Sequence, residues 1–293
     1  MTSPMTETGK LPTALAEARR HPPEGSRAEE YVDFAARRFV LATDLDGTFL
    51  GGSEADRRRL YEWIEGNRGE VGLIFVTGRD PAFLEQLCAE TFVPWPEYVI
   101  GDVGTTIARV EFDDGGAGRV RPMGPLEAWI AEAWGDAGER VRRALDGHPG
   151  LTLQPTPFRH RVSYDYDPAA FDPSAHRIVE EMGLDSLVSD DRFFDVLPRG
   201  VSKGPSLLRL LAHLGVPEHR TLAAGDTLND FSMLALDLPG VAVGGAEAGL
   251  LEKLAPRANL HRAEAIGAGG ILEAVASLGL HPSPPAPASA SGA

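Results

Sequence analysis

The chain has 293 residues and a single cysteine, Cys88. An intrachain disulfide is therefore impossible, and a zinc site built from several cysteines is excluded as well. The eight histidines are scattered along the chain, without an HxxxH pair. Cys88 lies in a helix-like segment, and because free cysteines are usually buried, we expect a small core residue rather than a reactive thiol.

Long apolar runs are also missing. No stretch of 18 apolar residues exists, so the sequence predicts no membrane span. The N-terminal residues lack the basic start and the apolar stretch of a signal peptide. We therefore expect a cytoplasmic protein that does not act at a membrane.

Basic residues are few, because 28 Lys and Arg stand against 43 Asp and Glu, which gives a net charge of −15. This balance argues against a nucleic-acid partner, which would require a basic face. A small phosphorylated substrate remains compatible, since one metal ion and a few basic residues can reverse the field locally. Hydrophobic residues make up 43% of the chain, enough for a sizeable core.

Apolar strand-like runs alternate with amphipathic helix-like runs between about residues 38 and 279. This alternation is typical of an α/β fold with a parallel, Rossmann-like sheet. The predicted core strands are 39–43, 71–77, 98–100, 221–224 and 240–244. The predicted core helices are 54–67, 81–90, 203–214, 229–236 and 270–278.

Both ends of the chain differ from this core in composition. Residues 1–37 have weak apolar content, and we expect a mostly flexible segment there. Residues 280–293 are rich in Pro, Ala and Ser, and we expect a disordered tail.

A long block interrupts the predicted core. Only 28 residues lie between Thr48 and Thr77, whereas 125 lie between Thr77 and Lys203. Residues 113–192 are too many for a loop in a compact domain. Because this block contains helix-like segments at 126–145 and 173–182 and strand-like segments at 151–154 and 161–166, we predict a small inserted α+β domain. The core would then be discontinuous, comprising 38–112 and 193–279.

Polar side chains follow the predicted strands. Asp44 and Asp46 come directly after the first strand, and Gly47 permits the chain to turn there. Thr77 ends the second strand, and Asp226 follows the strand at 221–224. Because ligands of open α/β sheets bind at the carboxyl ends of the strands, Asp44 and Asp46 stand where two carboxylates can flank one reacting centre.

Four segments in this order resemble the motifs of the haloacid dehalogenase (HAD) superfamily, whose first motif reads DxDGT. They are DLDGT at 44–48, TGR at 77–79, Lys203 with Gly204, and GDTLND at 225–230. In that superfamily an insert at the position of 113–192 is a type C2 cap, in which substrate choice resides.

A closer resemblance is to the sucrose-phosphate phosphatase branch, over about residues 38–279. It rests on TGRD at 77–80, IGDVGT at 100–105, RVSY at 161–164 and DVLPRG at 195–200, which leads to Lys203. Superfamily ATPases carry Thr in place of Asp46, and phosphonate-cleaving members carry a small residue. Asp46 therefore resembles phosphatases and phosphomutases, and the missing helical cap after the first motif makes a mutase the weaker reading.

The resemblance implies a role for each core residue. Asp44 would be the nucleophile that forms an aspartyl-phosphate, and Asp46 the acid and base for the leaving oxygen and the water. Thr77 and Lys203 would bind phosphoryl oxygens. Mg²⁺ would be held by Asp44, the main-chain carbonyl of Asp46 and Asp226.

Further residues have supporting roles by the same resemblance. Asn229 and Asp230 would orient Asp226 or Lys203. The candidate substrate-binding residues are Thr48, Gly78, Arg79, Arg159, His160, Arg161 and Tyr164.

Plainer interpretations remain open for several of these residues. Asp44 and Asp46 could cap a turn, Lys203 could be a solvated lysine at the start of a helix, and Asp230 could be an N-terminal helix charge. The basic residues at 159–161 could be solvated strand charges instead of sugar contacts. A polar turn is expected at Glu111, Asp113 and Asp114, before two glycines.

Three functional hypotheses follow. The first is a Mg²⁺-dependent phosphatase of a sugar phosphate, disaccharide-like in size. The second keeps this chemistry and changes the substrate to a pseudo-sugar or aminocyclitol phosphate, or to a mannosylglycerate-type phosphate. The third is a non-catalytic HAD-fold partner of a glycosyltransferase. The presence of Asp44, Asp46, Lys203 and Asp226 argues against the third.

Overall fold

The computed structural model describes residues 34–287. Within this range the chain forms twelve strands in two sheets. They are β1 (Phe39–Thr43), β2 (Val71–Val76), β3 (Tyr98–Gly101), β4 (Thr106–Phe112), β5 (Gly118–Pro122), β6 (Leu151–Leu153), β7 (Val162–Tyr166), β8 (Leu184–Ser189), β9 (Phe193–Pro198), β10 (Thr221–Gly225), β11 (Gly240–Gly244) and β12 (Leu260–Ile266).

The α-helices of the described residues cover both faces of the larger sheet and one face of the smaller one. They are α1 (Glu54–Gly66), α2 (Pro81–Glu90), α3 (Gly124–Trp134), α4 (Ala137–Ala144), α5 (Ser174–Glu181), α6 (Lys203–Leu214), α7 (Phe231–Leu234), α8 (Ala248–Lys253) and α9 (Ala268–Ser277). Among residues 34–287 no helix has the length and apolar character needed to cross a membrane.

Local sequence signals set the ends of the core helices. The Ser53 hydroxyl accepts a hydrogen bond from the Asp56 N–H at the start of α1. Asp80 accepts from two N–H groups at the start of α2, directly before Pro81. Helix α6 ends at Gly215, whose φ of 70° lies in the left-handed region, as the sequence predicts.

The larger sheet has eight strands in the order β12-β11-β10-β1-β2-β3-β4-β5. The six strands from β12 to β3 run parallel, and β4 and β5 are antiparallel additions at one edge. Strand β1 pairs with β10 on one side and β2 on the other, so it lies near the middle. This confirms the predicted α/β class with a mostly parallel sheet.

The strands at the centre of this sheet are buried on both faces. In β1, Phe39 and Leu41 face one hydrophobic cluster, and Val40 and Ala42 face the other. Helices α1, α2 and α9 cover the first cluster, while α6 and α7 cover the second. Such double coverage explains why the strand reads as a continuous apolar run. Cys88 is buried in the first cluster, as predicted.

The inserted residues form the predicted α+β unit. Its antiparallel sheet has the order β6-β7-β9-β8, and a third hydrophobic cluster lies between this sheet and helices α4 and α5. Tyr164, Val179 and Phe194 are completely or almost completely buried in that cluster. We call this unit, residues 124–198, the cap.

The bounds of the cap differ from the predicted range of 113–192. Strand β5 lies at the edge of the core sheet, because it pairs with β4 across a turn in which Asp113 accepts from two N–H groups. This polar turn was predicted, but it forms a hairpin within the core and not a domain boundary. Glu111, which the sequence assigns to the turn, lies instead in β4, opposite Arg119. Strand β9, assigned to the core by sequence, pairs with β7 and β8 in the cap.

Two further assignments require correction. The predicted helix at 126–145 is divided into α3 and α4, because Gly135 has a φ of 52°. Strand β12 extends the sheet beyond β11, which the sequence indicates as the last clear core strand. Polar and apolar residues alternate in β12, because it lies at the edge of the sheet. This pattern predicts a strand less clearly than the continuous apolar runs of the central strands.

The predicted flexible ends are partly ordered. Phe34 is 2% exposed and packs edge-on against Tyr98, with 5.0 Å between ring centroids. Arg37 is buried and donates to the carbonyl oxygen of Val71. At the other end, His281 is buried against Trp63. Residues 34–37 and His281 thus pack against the core, although they lie in segments predicted to be flexible or disordered. Residues 1–33 and 288–293 lie outside the described residues.

Phe34 offers a test of this packing. We predict that Phe34→Ala lowers the free energy of unfolding by about 3–4 kcal/mol, the usual cost of removing a buried ring. Urea denaturation of the full chain measures the change. Leu153→Ala is the control, since Leu153 is 46% exposed and its loss should cost little. A change for Phe34→Ala no larger than that of the control would contradict the packing.

Candidate active site

The candidate site lies where three neighbouring strands end. Asp44 follows β1, Thr77 follows β2, and Asp226 follows β10. Because β10, β1 and β2 are adjacent and parallel, their carboxyl ends meet at one edge of the sheet. Asp44 is 5% exposed and Thr77 is completely buried. The structure thus brings together the motif residues that the sequence places far apart.

A tight turn connects Asp44 to Thr48. Gly47 has a φ of 81°, and a Cβ atom at this position would lie 2.1 Å from Oδ2 of Asp226. The Thr48 hydroxyl donates to Oδ1 of the same carboxylate at 2.6 Å. The turn therefore needs glycine for two reasons, its left-handed backbone and the close approach of Asp226.

Lys203 is the first residue of α6 and is completely buried. Its Nζ donates to Oδ1 of Asp44 at 2.6 Å, to Oδ1 of Asn229 at 2.6 Å and to Oδ1 of Asp230 at 2.7 Å. All three donors of the ammonium group are used. This geometry excludes the alternative in which Lys203 is a solvated lysine at a helix start.

Asp230 organises the loop that carries Asp226. Its Oδ2 accepts from the N–H groups of Asp226 and Thr227, at 2.9 and 3.0 Å, while Oδ1 accepts from Lys203. The same contacts form a capping box with Thr227. Asp230 is therefore both a charged residue at a helix start and a partner of Lys203. The geometry agrees with both interpretations of this residue from the sequence.

The charges of the site depend on one another. Burial raises the pKa of Asp44, and Lys203 opposes this shift. Burial and the neighbouring Asp230 raise the pKa of Asp226 to about 7. Burial alone would lower the pKa of Lys203, but Asp230 and Asp44 together hold it above its ordinary value. One ammonium group thus faces three acidic side chains.

The carboxylates fit a hard divalent cation. Oxygens of Asp44, Asp226 and Asp230 lie within 4.8 Å of one another. Both oxygens of Asp230 already accept from Lys203 or main-chain N–H groups, whereas Asp226 uses Oδ1 for Thr48. Oxygen donors in this number suit Mg²⁺, which takes few carboxylates and completes its shell with water and substrate. Asp44 and Asp226 are the better donors of the three.

Asp46 lies on the open side of the turn and pairs with Arg79. The guanidinium donates through two nitrogens to the two carboxylate oxygens, at 2.8 and 2.9 Å. Both side chains are about half exposed, and the guanidinium lies 4.4 Å from the ring centre of Phe83. This bidentate pair fixes the orientation of Asp46.

The candidate residues of the cap have unequal surroundings. Arg159 donates to both carboxylate oxygens of Glu127 and to the hydroxyl of Thr106, so it contacts cap and core together. Arg159 and His160 line an open cleft of about 590 Å³ with residues of α3 and α4. These two side chains remain accessible to a ligand.

Arg161 is 5% exposed, which excludes a solvated strand charge at this position. Its guanidinium donates to Asp195 at 3.2 Å within the cap and to the carbonyl oxygen of Gly78 at 2.9 Å in the core. It also lies 3.7 Å from Asp102. Burial of this charge is compensated by acidic partners from both units.

Tyr164 lies inside the cap core, 2% exposed and next to Phe194. The sequence reasoning missed two buried acids near these residues, Glu127 and Asp102. Glu127 gave no signal, because a glutamate in an amphipathic helix is usually solvated. Asp102 lies within the IGDVGT segment, and its φ of 54° was a detail that only the folded backbone reveals.

The fold and the site together define a HAD-superfamily phosphatase core with a C2-type cap, and solved HAD-like hydrolases share this fold. The chain belongs to the sucrose-6F-phosphate phosphohydrolase family, whose model matches residues 37–279. This is a family of phosphoric monoester hydrolases, and it confirms the resemblance to the sucrose-phosphate phosphatase branch.

The relatives differ in the fraction of their own length that matches this chain. A glucosylglycerol-phosphate synthase of Pseudomonas anguilliseptica is 39% identical over 82% of this chain, but the match spans only 31% of the synthase. A mannosylfructose-phosphate phosphatase of Agrobacterium fabrum is 28% identical over 83% of this chain and 98% of its own. The solved sucrose-phosphatase of Synechocystis, in complex with sucrose and phosphate, has a TM-score of 0.72 at 26% identity and covers 83% of this chain and 98% of its own.

The raised pKa of Asp226 leads to a test without substrate. A carboxyl whose folded pKa of about 7 exceeds its ordinary 3.8 stabilises the fold at low pH. That contribution is lost as pH rises from about 4 through about 7. We predict that the metal-free protein loses stability over this interval, and that Mg²⁺ stabilises it more at pH 8 than at pH 6.

Thermal unfolding at several pH values, with chelator or Mg²⁺, measures these effects. Asp226→Asn should flatten the pH profile and reduce the Mg²⁺ effect, although Asp44 contributes a shift in the same direction. Asp114→Asn, at an exposed turn position, serves as the control. A profile of Asp226→Asn identical to that of the parent would contradict the assignment.

Proposed function

We propose that this protein is a Mg²⁺-dependent phosphatase that hydrolyses a sugar phosphate through an aspartyl-phosphate on Asp44. The observation that carries the proposal is the position of the Asp44 carboxylate. It stands at the end of the central strand, 2.6 Å from the buried ammonium of Lys203 and within the acidic cluster that includes Asp226. A nucleophilic carboxylate in phosphoryl transfer needs both a fixed direction and nearby positive charge.

Each side chain of the site has a separate role in the reaction. Asp44 attacks phosphorus as the bond to the sugar oxygen breaks, and the Thr77 hydroxyl donates to a phosphoryl oxygen. Lys203, whose three hydrogen bonds are all made within the protein, contributes its positive charge. Asp46, which has to exchange its pairing with Arg79 for a proton, gives that proton to the leaving oxygen and later takes one from the water that cleaves the intermediate. Mg²⁺, held by Asp44, the main-chain carbonyl of Asp46 and Asp226, would neutralise charge on the phosphoryl group.

Relatives support a glycosylated substrate. The mannosylfructose-phosphate phosphatase and the sucrose-phosphatase, which act on disaccharide phosphates by their names, match nearly their full lengths. The primary proposal is therefore a disaccharide-like phosphate.

A second candidate is the phosphate of a glycosylated polyol, close to the mannosylglycerate-type alternative. The 39% identity with part of a glucosylglycerol-phosphate synthase favours it. In either case a glycosyltransferase would supply the substrate. The cytoplasmic location and the absence of a nucleic-acid partner stay predictions from composition.

Asp44→Asn tests the nucleophile. A carboxamide attacks phosphorus poorly, so we predict that the variant folds and retains less than about one hundredth of the phosphate release of the parent. Phosphate release from p-nitrophenyl phosphate and from sugar phosphates is measured with Mg²⁺, with Ca²⁺ and with excess chelator.

Mg²⁺ should activate the parent protein, and Ca²⁺ should bind without supporting turnover, because its larger and looser shell does not hold the in-line geometry.

Two outcomes would refute the mechanism. One is a rate for Asp44→Asn above about a tenth of that of the parent. The other is full activity in excess chelator. If the parent releases no phosphate from any ester while its fold is intact, the alternative of a non-catalytic glycosyltransferase partner is favoured instead.

Variants of the cap residues Arg159 and His160 test whether the cap contacts the sugar part of the substrate. We predict that His160→Ala and Arg159→Ala lower kcat/KM for the preferred sugar phosphate by about tenfold or more, the scale of a lost polar contact to substrate. p-Nitrophenyl phosphate, whose leaving group offers few such contacts, should be affected much less. A panel of mono-, disaccharide and glycosyl-polyol phosphates identifies the preferred substrate first.

Arg177→Ala is the matched control, because Arg177 is an exposed cap arginine that pairs with Glu181 on the same helix. Equal losses on both substrates would assign Arg159 and His160 to support of the fold. Unchanged kinetics on both would leave them as solvated charges.

A further inference from the structure

Glu247 lies outside all the sequence motifs, directly before α8. Its main-chain N–H donates to the carbonyl oxygen of Asp226 at 2.8 Å. Its side chain accepts two further hydrogen bonds, one at each carboxylate oxygen. Oε2 accepts from the N–H of Leu228 at 2.7 Å, and Oε1 accepts from the N–H of Asp190 at 3.0 Å.

The hydrogen bond from the Leu228 N–H to Glu247 adds to the contacts that hold the loop 226–230, which carries Asp226. Residues 226–228 have three successive N–H groups that donate to carboxylates. Asp230 accepts the first two, from Asp226 and Thr227, and Glu247 accepts the third, from Leu228. A loop whose amides are bound by two fixed carboxylates has little freedom to change direction. Glu247 is the only one of the two that comes from outside the loop.

The second contact comes from the cap. Asp190 and Asp191 form the turn between β8 and β9, with φ values of 54° and 44°. This left-handed turn directs the Asp190 N–H out of the cap toward the core. Strand β8 also lies against the segment Leu228–Asp230. One carboxylate therefore joins the cap turn to the loop that carries Asp226.

We propose that Glu247 is a positioning residue that fixes the Asp226 loop for cation binding and holds the cap turn against that loop. The proposal rests on the proposed function, since it assigns Asp226 to the cation. Through this side chain, docking of the cap and the direction of the Asp226 carboxylate depend on each other. A substrate that keeps the cap in place would thereby also favour the loop geometry that binds the cation.

Glu247→Ala in the full chain removes both acceptors, and Glu247→Gln retains one. Hydrogen exchange in the metal-free protein should increase in two separate segments of the alanine variant, around 226–230 and around 189–192. Calorimetric titration with Mn²⁺ or Mg²⁺ should show a dissociation constant raised by about tenfold, the low end for a lost outer partner of a metal ligand. Glu247→Gln should lie between the parent and the alanine variant.

Glu252→Ala is the matched control, because Glu252 is an exposed glutamate on the same helix. It should change neither the exchange nor the dissociation constant. In steady-state assays, saturating Mg²⁺ should restore much of the kcat of Glu247→Ala, a recovery that simple loss of folded protein would not give. If the alanine variant does not fold, the same measurements on Glu247→Gln decide the question.

An unchanged dissociation constant would overturn the proposal, and so would faster exchange in only one of the two segments. Exchange and cation binding are measured without turnover. A parent protein that releases no phosphate would therefore refute the proposed function, while these two measurements would still test Glu247.

Discussion

The buried ammonium of Lys203 is the interaction on which the site depends. A completely buried charge is stable only with fully used hydrogen bonds and opposite charges around it, and Asp44, Asn229 and Asp230 provide them. Asp44 follows β1, whereas Asn229 and Asp230 both lie in the loop after β10, so the partners come from two segments far apart in sequence. Lys203 therefore fixes β1, α6 and the loop after β10 relative to one another, and the direction of the Asp44 carboxylate follows from that arrangement.

The same arrangement leaves an excess of negative charge. One ammonium cannot balance Asp44, Asp226 and Asp230 in a buried environment, and the raised pKa values of Asp44 and Asp226 reflect this. A bound cation would stabilise the deprotonated form of this site. Such a cation would also allow a chain with a net charge of −15 to accept an anionic substrate at this edge of its sheet.

Most of the core was predictable from sequence, because the apolar runs and strand-end motifs are local signals. Asp44, Thr77 and Asp226 lie together for the simple reason that parallel strands end at one edge. The cap contacts were not predictable in the same way. The burial of Arg161 depends on Asp195 and Gly78, which lie 34 and 83 residues away, and the role of Glu247 depends on a turn 57 residues away. No periodicity in a single segment contains that information.

The central pairing of β1 with β10 has a consequence for folding. Val40 lies opposite Thr221, so the middle of the sheet closes a loop of about 180 residues. Loop closure of this length is slow and entropically costly. The cap, whose strands pair mainly with near neighbours in sequence and which has its own hydrophobic cluster, lies inside that loop. Early folding of the cap would shorten the flexible chain that has to be closed, so the inserted unit would also speed formation of the larger sheet.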